Sequence, residues 1–122
     1  MKSVLIADDQ SSIRMLVRAT IESDAYSIAE ASNGDQAWWL IKELRPDLVL
    51  LDVEMPGLSG LEVTREVRND PSLVGTTVIL LTANISKTDV EAGLAAGADL
   101  YLTKPFSPLE LLTVLEKALD IA

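Results

Sequence analysis

The chain has 122 residues, 48% of them hydrophobic, and it contains neither cysteine nor histidine. A chain of this length forms one domain that buries roughly two-thirds of its unfolded surface without disulfide staples. Ten Lys and Arg against nineteen Asp and Glu leave a net charge of −9, which argues against direct nucleic-acid binding, and the missing histidine excludes Ser-His-Asp triads, imidazole bases and His-ligated zinc. Chemistry must come from carboxylates, Lys, hydroxyls, backbone amides or a hard metal, a set that suits phosphoryl transfer and Mg²⁺. No signal peptide is visible and no apolar run approaches the ~20 residues of a membrane span. The expectation is a single cytoplasmic domain over residues 1–122.

The first apolar run covers residues 4–7. Ile13, Leu16, Val17, Thr20 and Ile21 then recur with the spacing of one helix face. A second run, 26–29, precedes a helix that Asn33 begins, with Gln36 three residues on. In that helix Ala37, Trp38 and Ile41 fit the core-facing spacing. Adjacent residues on a helix point about 100° apart, so Trp39 is expected to be exposed. It reads as a surface aromatic or as a binding or self-association patch. The third run, 48–51, leads to Ser59 and Glu62, a capping-box pattern. The fourth, 78–81, is followed by a helix over 86–96 that Gly97 ends. The fifth, 99–102, precedes Ser107-Pro108-Leu109-Glu110, which combines an N-cap, a Pro at the first helical position and a capping-box Glu.

Val-Leu-Ile-Ala, Leu-Val-Leu-Leu and Val-Ile-Leu-Leu show no polar alternation, as in strands buried on both faces of a parallel sheet. Five strand–helix units imply right-handed crossovers and helices on both faces. Ligands of such sheets bind outside the carboxyl ends of the strands. Those ends carry Asp8 and Asp9, then Asp52, Val53 and Glu54, then Thr82, then Lys104 and Pro105. Each has an ordinary reading alone, as an N-cap or a solvated loop residue. Together they put three carboxylates, a hydroxyl and an ammonium at one edge. Crowded carboxylates call for a cation, and Mg²⁺ takes a few carboxylates with water and phosphate oxygens. A carboxylate can attack a phosphoryl group, and a metal and a Lys can stabilise the charge that spreads during transfer.

Asp8-Asp9, Asp52 within Leu-Leu-Asp-Val-Glu-Met-Pro-Gly-Leu-Ser-Gly, Thr82-Ala83 and Lys104-Pro105-Phe106 resemble the receiver domains of two-component signalling, over the whole chain. The resemblance implies a flavodoxin-like doubly wound (βα)5 three-layer sandwich with sheet order 2-1-3-4-5. It implies a phosphorylation-activated switch rather than a multiple-turnover enzyme. Asp52 is then the phosphoacceptor. Asp9, Asp52 and the Glu54 backbone carbonyl would ligate Mg²⁺, with Asp8 acting through a bound water. Lys104 would pair with the phosphoryl group, Thr82 would hydrogen-bond it, and Tyr101 would be the aromatic that rotates inward. The Lys104–Pro105 bond would be cis. Glu54 and Asn84 are expected to tune the phosphoryl lifetime. The implied partners are a sensor histidine kinase or phosphotransfer protein and a downstream protein that meets the helix 4–strand 5–helix 5 face. The implied state is a monomer or a weak phosphorylation-dependent dimer.

The reading is of a stand-alone regulator. One alternative is a receiver cut from a larger regulator with a DNA-binding or enzymatic output domain. An aspartate-nucleophile phosphatase would want a second Asp where Glu54 stands, and a cap insertion. A nucleotide-binding domain would want a Gly-rich first turn in place of Asp-Asp-Gln-Ser-Ser. A receiver-like module that never meets phosphate would have no use for the full acidic set with Thr82 and Lys104.

Overall fold

A computed structural model describes residues 2–22, 25–83 and 87–121, with the side chains of 87–89 and 119–121 outside that description. Strands β1 (Lys2–Ala7), β2 (Tyr26–Ala31), β3 (Leu48–Asp52), β4 (Thr77–Thr82) and β5 (Leu100–Thr103) alternate with helices α1 (Ser11–Ile21), α2 (Gly34–Leu44), α3 (Gly60–Asn69), α4 (Lys87–Ala96) and α5 (Pro108–Ile121). A short 3₁₀ turn, Pro71–Leu73, lies between α3 and β4. The sheet is parallel throughout, in the order β2-β1-β3-β4-β5.

Strand residues alternate between two cores. Leu5, Ala7, Val49, Leu51, Val78 and Leu80 pack with Ala37 and Ile41 of α2 and with Val63 and Val67 of α3. Val4, Ile6, Leu48, Leu50, Ile79 and Leu81 pack with Val17 and Ile21 of α1 and with Leu111 and Leu115 of α5. Because β1, β3 and β4 bury both faces, they read as unbroken apolar runs. Each Leu→Ala change there would cost about 2–5 kcal/mol.

Local sequence sets the helix ends. Asn33 Oδ1 accepts from Gln36 N at 2.7 Å. Ser59 and Glu62 form the expected reciprocal box, and Ser107 and Glu110 repeat it at α5, with bonds of 3.1 and 3.2 Å. Gly97, at φ +108, ends α4. Its N–H donates to the Leu94 carbonyl and that of Ala98 to the Gly93 carbonyl, the paired closure that favours a left-handed residue. The fifth strand differs from its expected bounds, because Asp99 stands outside it. Asp99 Oδ2 instead accepts from Val78 N at 2.8 Å and from the Arg68 guanidinium at 2.6 Å. Arg68 also donates to the carbonyls of Gly97 and Thr76, so one side chain ties α3 to the start of β4 and the end of α4.

Trp38 packs against the first core with the Lys42 ammonium 5.0 Å from its ring centre. Trp39 is 58% exposed, as helical geometry requires of its neighbour. Among the described residues no helix is long and apolar enough to cross a membrane.

Candidate functional site

The carboxyl edge of the sheet gathers the expected residues. Asp8 and Asp9 follow β1, and Lys104 follows β5. Asp52 and Thr82 are themselves the last residues of β3 and β4 rather than loop residues, aligned with Leu81 and Thr103 across the ladder. The sheet therefore fixes both backbones. The Lys104–Pro105 peptide is cis, and Lys104 N donates to the Thr82 carbonyl at 2.8 Å. A cleft of about 750 Å³ opens here, and Asp9, Asp52, Glu54, Thr82 and Lys104 are in its lining.

Asp8, Asp9 and Asp52 each offer a carboxylate oxygen within 4.8 Å of the others. Asp8 is fully buried. Its Oδ1 accepts from Gln10 N at 2.9 Å. Its Oδ2 meets no well-aligned hydrogen bond and is compensated by the Lys104 ammonium at 2.7 Å. The same ammonium lies 3.3 Å from Asp52 Oδ2, while Asp52 Oδ1 accepts from Glu54 N at 3.3 Å. Burial, and then the Asp8 carboxylate, push the Asp52 pKa up to about 6 against the pull of Lys104. Burial works against the Lys104 charge, yet the close contact with the Asp8 carboxylate, together with the Asp52 carboxylate, outweighs it and raises its pKa. One ammonium thus serves two buried carboxylates, Asp8 and Asp52, with the exposed Asp9 carboxylate beside them. All-oxygen donors with surplus negative charge suit a hard divalent cation such as Mg²⁺.

One expected residue stands apart from this cluster. Tyr101 is not in the cleft lining, and its hydroxyl donates to the Val90 carbonyl of α4 at 2.8 Å. It fits there because Gly93 lacks a Cβ, which would sit 1.5 Å from the Tyr101 oxygen. Glu54 is exposed at the rim. Asn84 lies outside the described residues.

Three supports were not legible from the sequence pattern. A Cβ on Gly60 would stand 2.3 Å from the Asp52 carbonyl oxygen, and Gly60 N donates to the Val53 carbonyl at 2.9 Å. Gly34 likewise lets α2 close on the loop after β3, donating to the Pro56 carbonyl at 2.9 Å. The available signal was a glycine directly after each N-cap, at Ser59-Gly60 and Asn33-Gly34. The third support is Arg14, whose guanidinium donates to the Asp8 carbonyl at 2.6 Å. An arginine in the first turns of α1 gives no such sign on its own.

A family model for the response regulator receiver domain matches residues 4–116. The phosphate regulon transcriptional regulatory protein PhoB of Pseudomonas aeruginosa is 42% identical over 118 residues, 97% of this chain and 52% of that protein. The DNA-binding response regulator MtrA of Mycobacterium tuberculosis is 40% identical over 88% of this chain and 46% of its own length. The chain spans about half the length of these curated relatives. Among solved structures, the chemotaxis response regulator CheY4 of Vibrio cholerae superposes with a TM-score of 0.91 at 34% identity, covering 97% of this chain and 98% of that one.

Proposed function

The chain belongs to the response-regulator receiver family of two-component signalling, and from that premise we propose that Asp52 accepts a phosphoryl group from a phosphohistidine on a sensor kinase or phosphotransfer protein. The observation that carries this reading is the convergence of the Asp8, Asp9 and Asp52 carboxylates, with the Lys104 ammonium on Asp8 and Asp52. An Asp52 carboxylate oxygen attacks phosphorus, a P–O bond forms, and the P–N bond to the donor imidazole breaks. The Lys104 ammonium balances charge on the transferred group, and Thr82 offers it a hydroxyl donor. Asp9, Asp52 and the Glu54 backbone carbonyl would hold Mg²⁺, with Asp8 acting through a bound water. The ion would offset the repulsion between carboxylate and incoming phosphoryl oxygens.

On this reading the protein is a cytoplasmic switch, without multiple turnover of a substrate. Phosphorylation biases a two-state equilibrium. Thr82 and Tyr101 carry the change to a downstream protein at the α4–β5–α5 face, Glu54 and Asn84 tune its lifetime, and any self-association is weak and phosphorylation-dependent. The test is incubation with a small acyl or amido phosphate in Mg²⁺. The parent should gain one phosphoryl group by intact mass and Asp52→Asn none; full incorporation on the variant would overturn the assignment.

A stand-alone regulator is the reading that the end-to-end match to CheY4 favours, 97% of this chain and 98% of that one. A second reading has its own observation, the half-length match to regulators described as DNA-binding or transcriptional. There the chain is the receiver part of a larger regulator. The coding sequence beyond Ala122 separates the two. A stop codon supports the first reading, and an in-frame output domain replaces it with the second.

A further inference from the structure

The loop that carries Asp8 and Asp9 is pinned from outside the cleft. Arg14 and Arg18, one turn apart on α1, flank Glu30 of β2. Arg14 Nε donates to Glu30 Oε1 at 3.2 Å, and Arg18 Nε donates to Oε2 at 2.7 Å. The remaining reach of Arg14 goes to the backbone, where Nη1 donates to the Asp8 carbonyl at 2.6 Å. Asp8 N donates in turn to the Ala31 carbonyl at 3.1 Å. Both faces of Asp8's backbone are therefore tied to β2, one directly and one through the Arg14–Glu30 pair.

That carbonyl belongs to the peptide joining Asp8 to Asp9. Its orientation decides where the Asp9 Cα, and so the exposed Asp9 carboxylate, stands relative to buried Asp8 and Asp52. A charge-assisted hydrogen bond from a guanidinium, itself held by a carboxylate, restricts that rotation. The charges make the arrangement informative. An arginine beside a cation site repels the cation, and Glu30, shared by Arg14 and Arg18, offsets only one of the two guanidiniums.

We propose that Arg14, held by Glu30, is a positioning residue for the cation site, setting the Asp8–Asp9 peptide so that the acidic pair binds Mg²⁺. The proposal rests on the Mg²⁺ reading above. Electrostatics alone would make Arg14→Ala bind Mg²⁺ more tightly, because a positive charge is removed. Positioning predicts the opposite, a weakening of about 10-fold, as for other outer-shell partners of metal ligands.

The experiment is isothermal titration of the metal-free protein with MgCl₂, beside thermal unfolding in EDTA. Arg14→Ala should weaken Mg²⁺ about 10-fold. The charge-neutral double variant Arg14→Ala, Glu30→Ala should do the same, and it carries the test alone should the single variant not fold. Arg14→Lys, which restores one donor, should recover part of the loss. In acyl phosphate assays the Mg²⁺ concentration for half-maximal rate should rise while the rate at saturating Mg²⁺ holds, a split that loss of stability alone would not produce. Unchanged or tighter Mg²⁺ binding in the variants, with the parent binding normally, overturns the positioning role alone. A parent that binds no Mg²⁺ overturns the metal reading and this inference together.

Discussion

Replacing Asp52 with Asn should stabilise the metal-free protein at neutral pH, although it removes the proposed acceptor. Folding raises the Asp52 pKa from 3.8 to about 6, chiefly through burial and then through the Asp8 carboxylate. A carboxyl with a raised native pKa holds its proton more tightly when folded. Its contribution therefore favours the native state at acid pH, and that advantage is lost as pH rises from about 4 through about 6. At neutral pH the ionised carboxylate costs up to about 3 kcal/mol, taking the shift at 1.36 kcal/mol per unit. Asn removes that charge and keeps an acceptor for Glu54 N, while Lys104 keeps Asp8 at 2.7 Å. A gain of about 1–3 kcal/mol follows, or roughly 5–10 °C in Tm for a domain of this size. The assay is thermal and urea unfolding of both proteins in EDTA across pH. On lowering pH from about 7.5 to about 5 the gap should shrink by roughly half, since the native parent then holds its proton. Added Mg²⁺ should raise the Tm of the parent more than that of the variant. A variant that melts at or below the parent near neutral pH in EDTA would refute the reasoning, as would a gap that ignores pH.

Two further substitutions probe the frame. Lys104→Met should destabilise the metal-free protein by about 3 kcal/mol near neutral pH, because it strands the fully buried Asp8 carboxylate. Urea unfolding with and without Mg²⁺ checks this, and added Mg²⁺ should recover part of the loss. Gly60→Ala should cost about 2–3 kcal/mol, because its Cβ would meet backbone atoms, the Asp52 carbonyl oxygen at 2.3 Å and Val53 Cα at 2.9 Å, that no rotamer change can move. Gly75→Ala, with nothing within 4 Å of the added carbon, is the control and should unfold at the parent's midpoint.

The fold was legible because burial on two faces leaves a plain mark. Val78, Ile79, Leu80 and Leu81 could be read as a central strand, since each must meet one core or the other. Helix starts were legible for a local reason, the reciprocal bonds of Ser59 with Glu62 and of Ser107 with Glu110. The convergence of Asp8, Asp9, Asp52 and Lys104 followed from topology once the strand ends were known. What escaped reading was set by tertiary contact. Asp99 looks like a strand residue until Arg68, 31 positions away, claims its carboxylate. Arg14 looks like a solvated helix residue until its reach to the Asp8 carbonyl is seen. Tyr101, expected to be an aromatic that rotates inward, has its hydroxyl against α4, where Gly93 opens a place for it that no sequence pattern shows. Such partners lie far apart in the chain and share no period.

The balance of rigidity and strain at this edge bears on how a switch could work. The backbone around Asp52 is held tightly, by the ladder to Leu81, by Gly60 packed on its carbonyl and by Gly34 closing on the next loop. The side chains are held in an unfavourable state, with burial and Asp8 opposing the Asp52 charge. A rigid frame limits how far the loop can relax to relieve that repulsion; Lys104 relieves part of it, and on the proposed reading a bound cation would relieve more. Phosphorylation would then add charge where the frame cannot yield, and the response must pass to side chains with a second arrangement within reach. On the proposed reading Tyr101 is one such side chain. It sits three residues before Lys104, and its hydroxyl donates to the Val90 carbonyl of α4, a hydrogen bond worth about 1 kcal/mol net. A bond of that size can be exchanged at little cost, whereas the packed strands beneath it cannot.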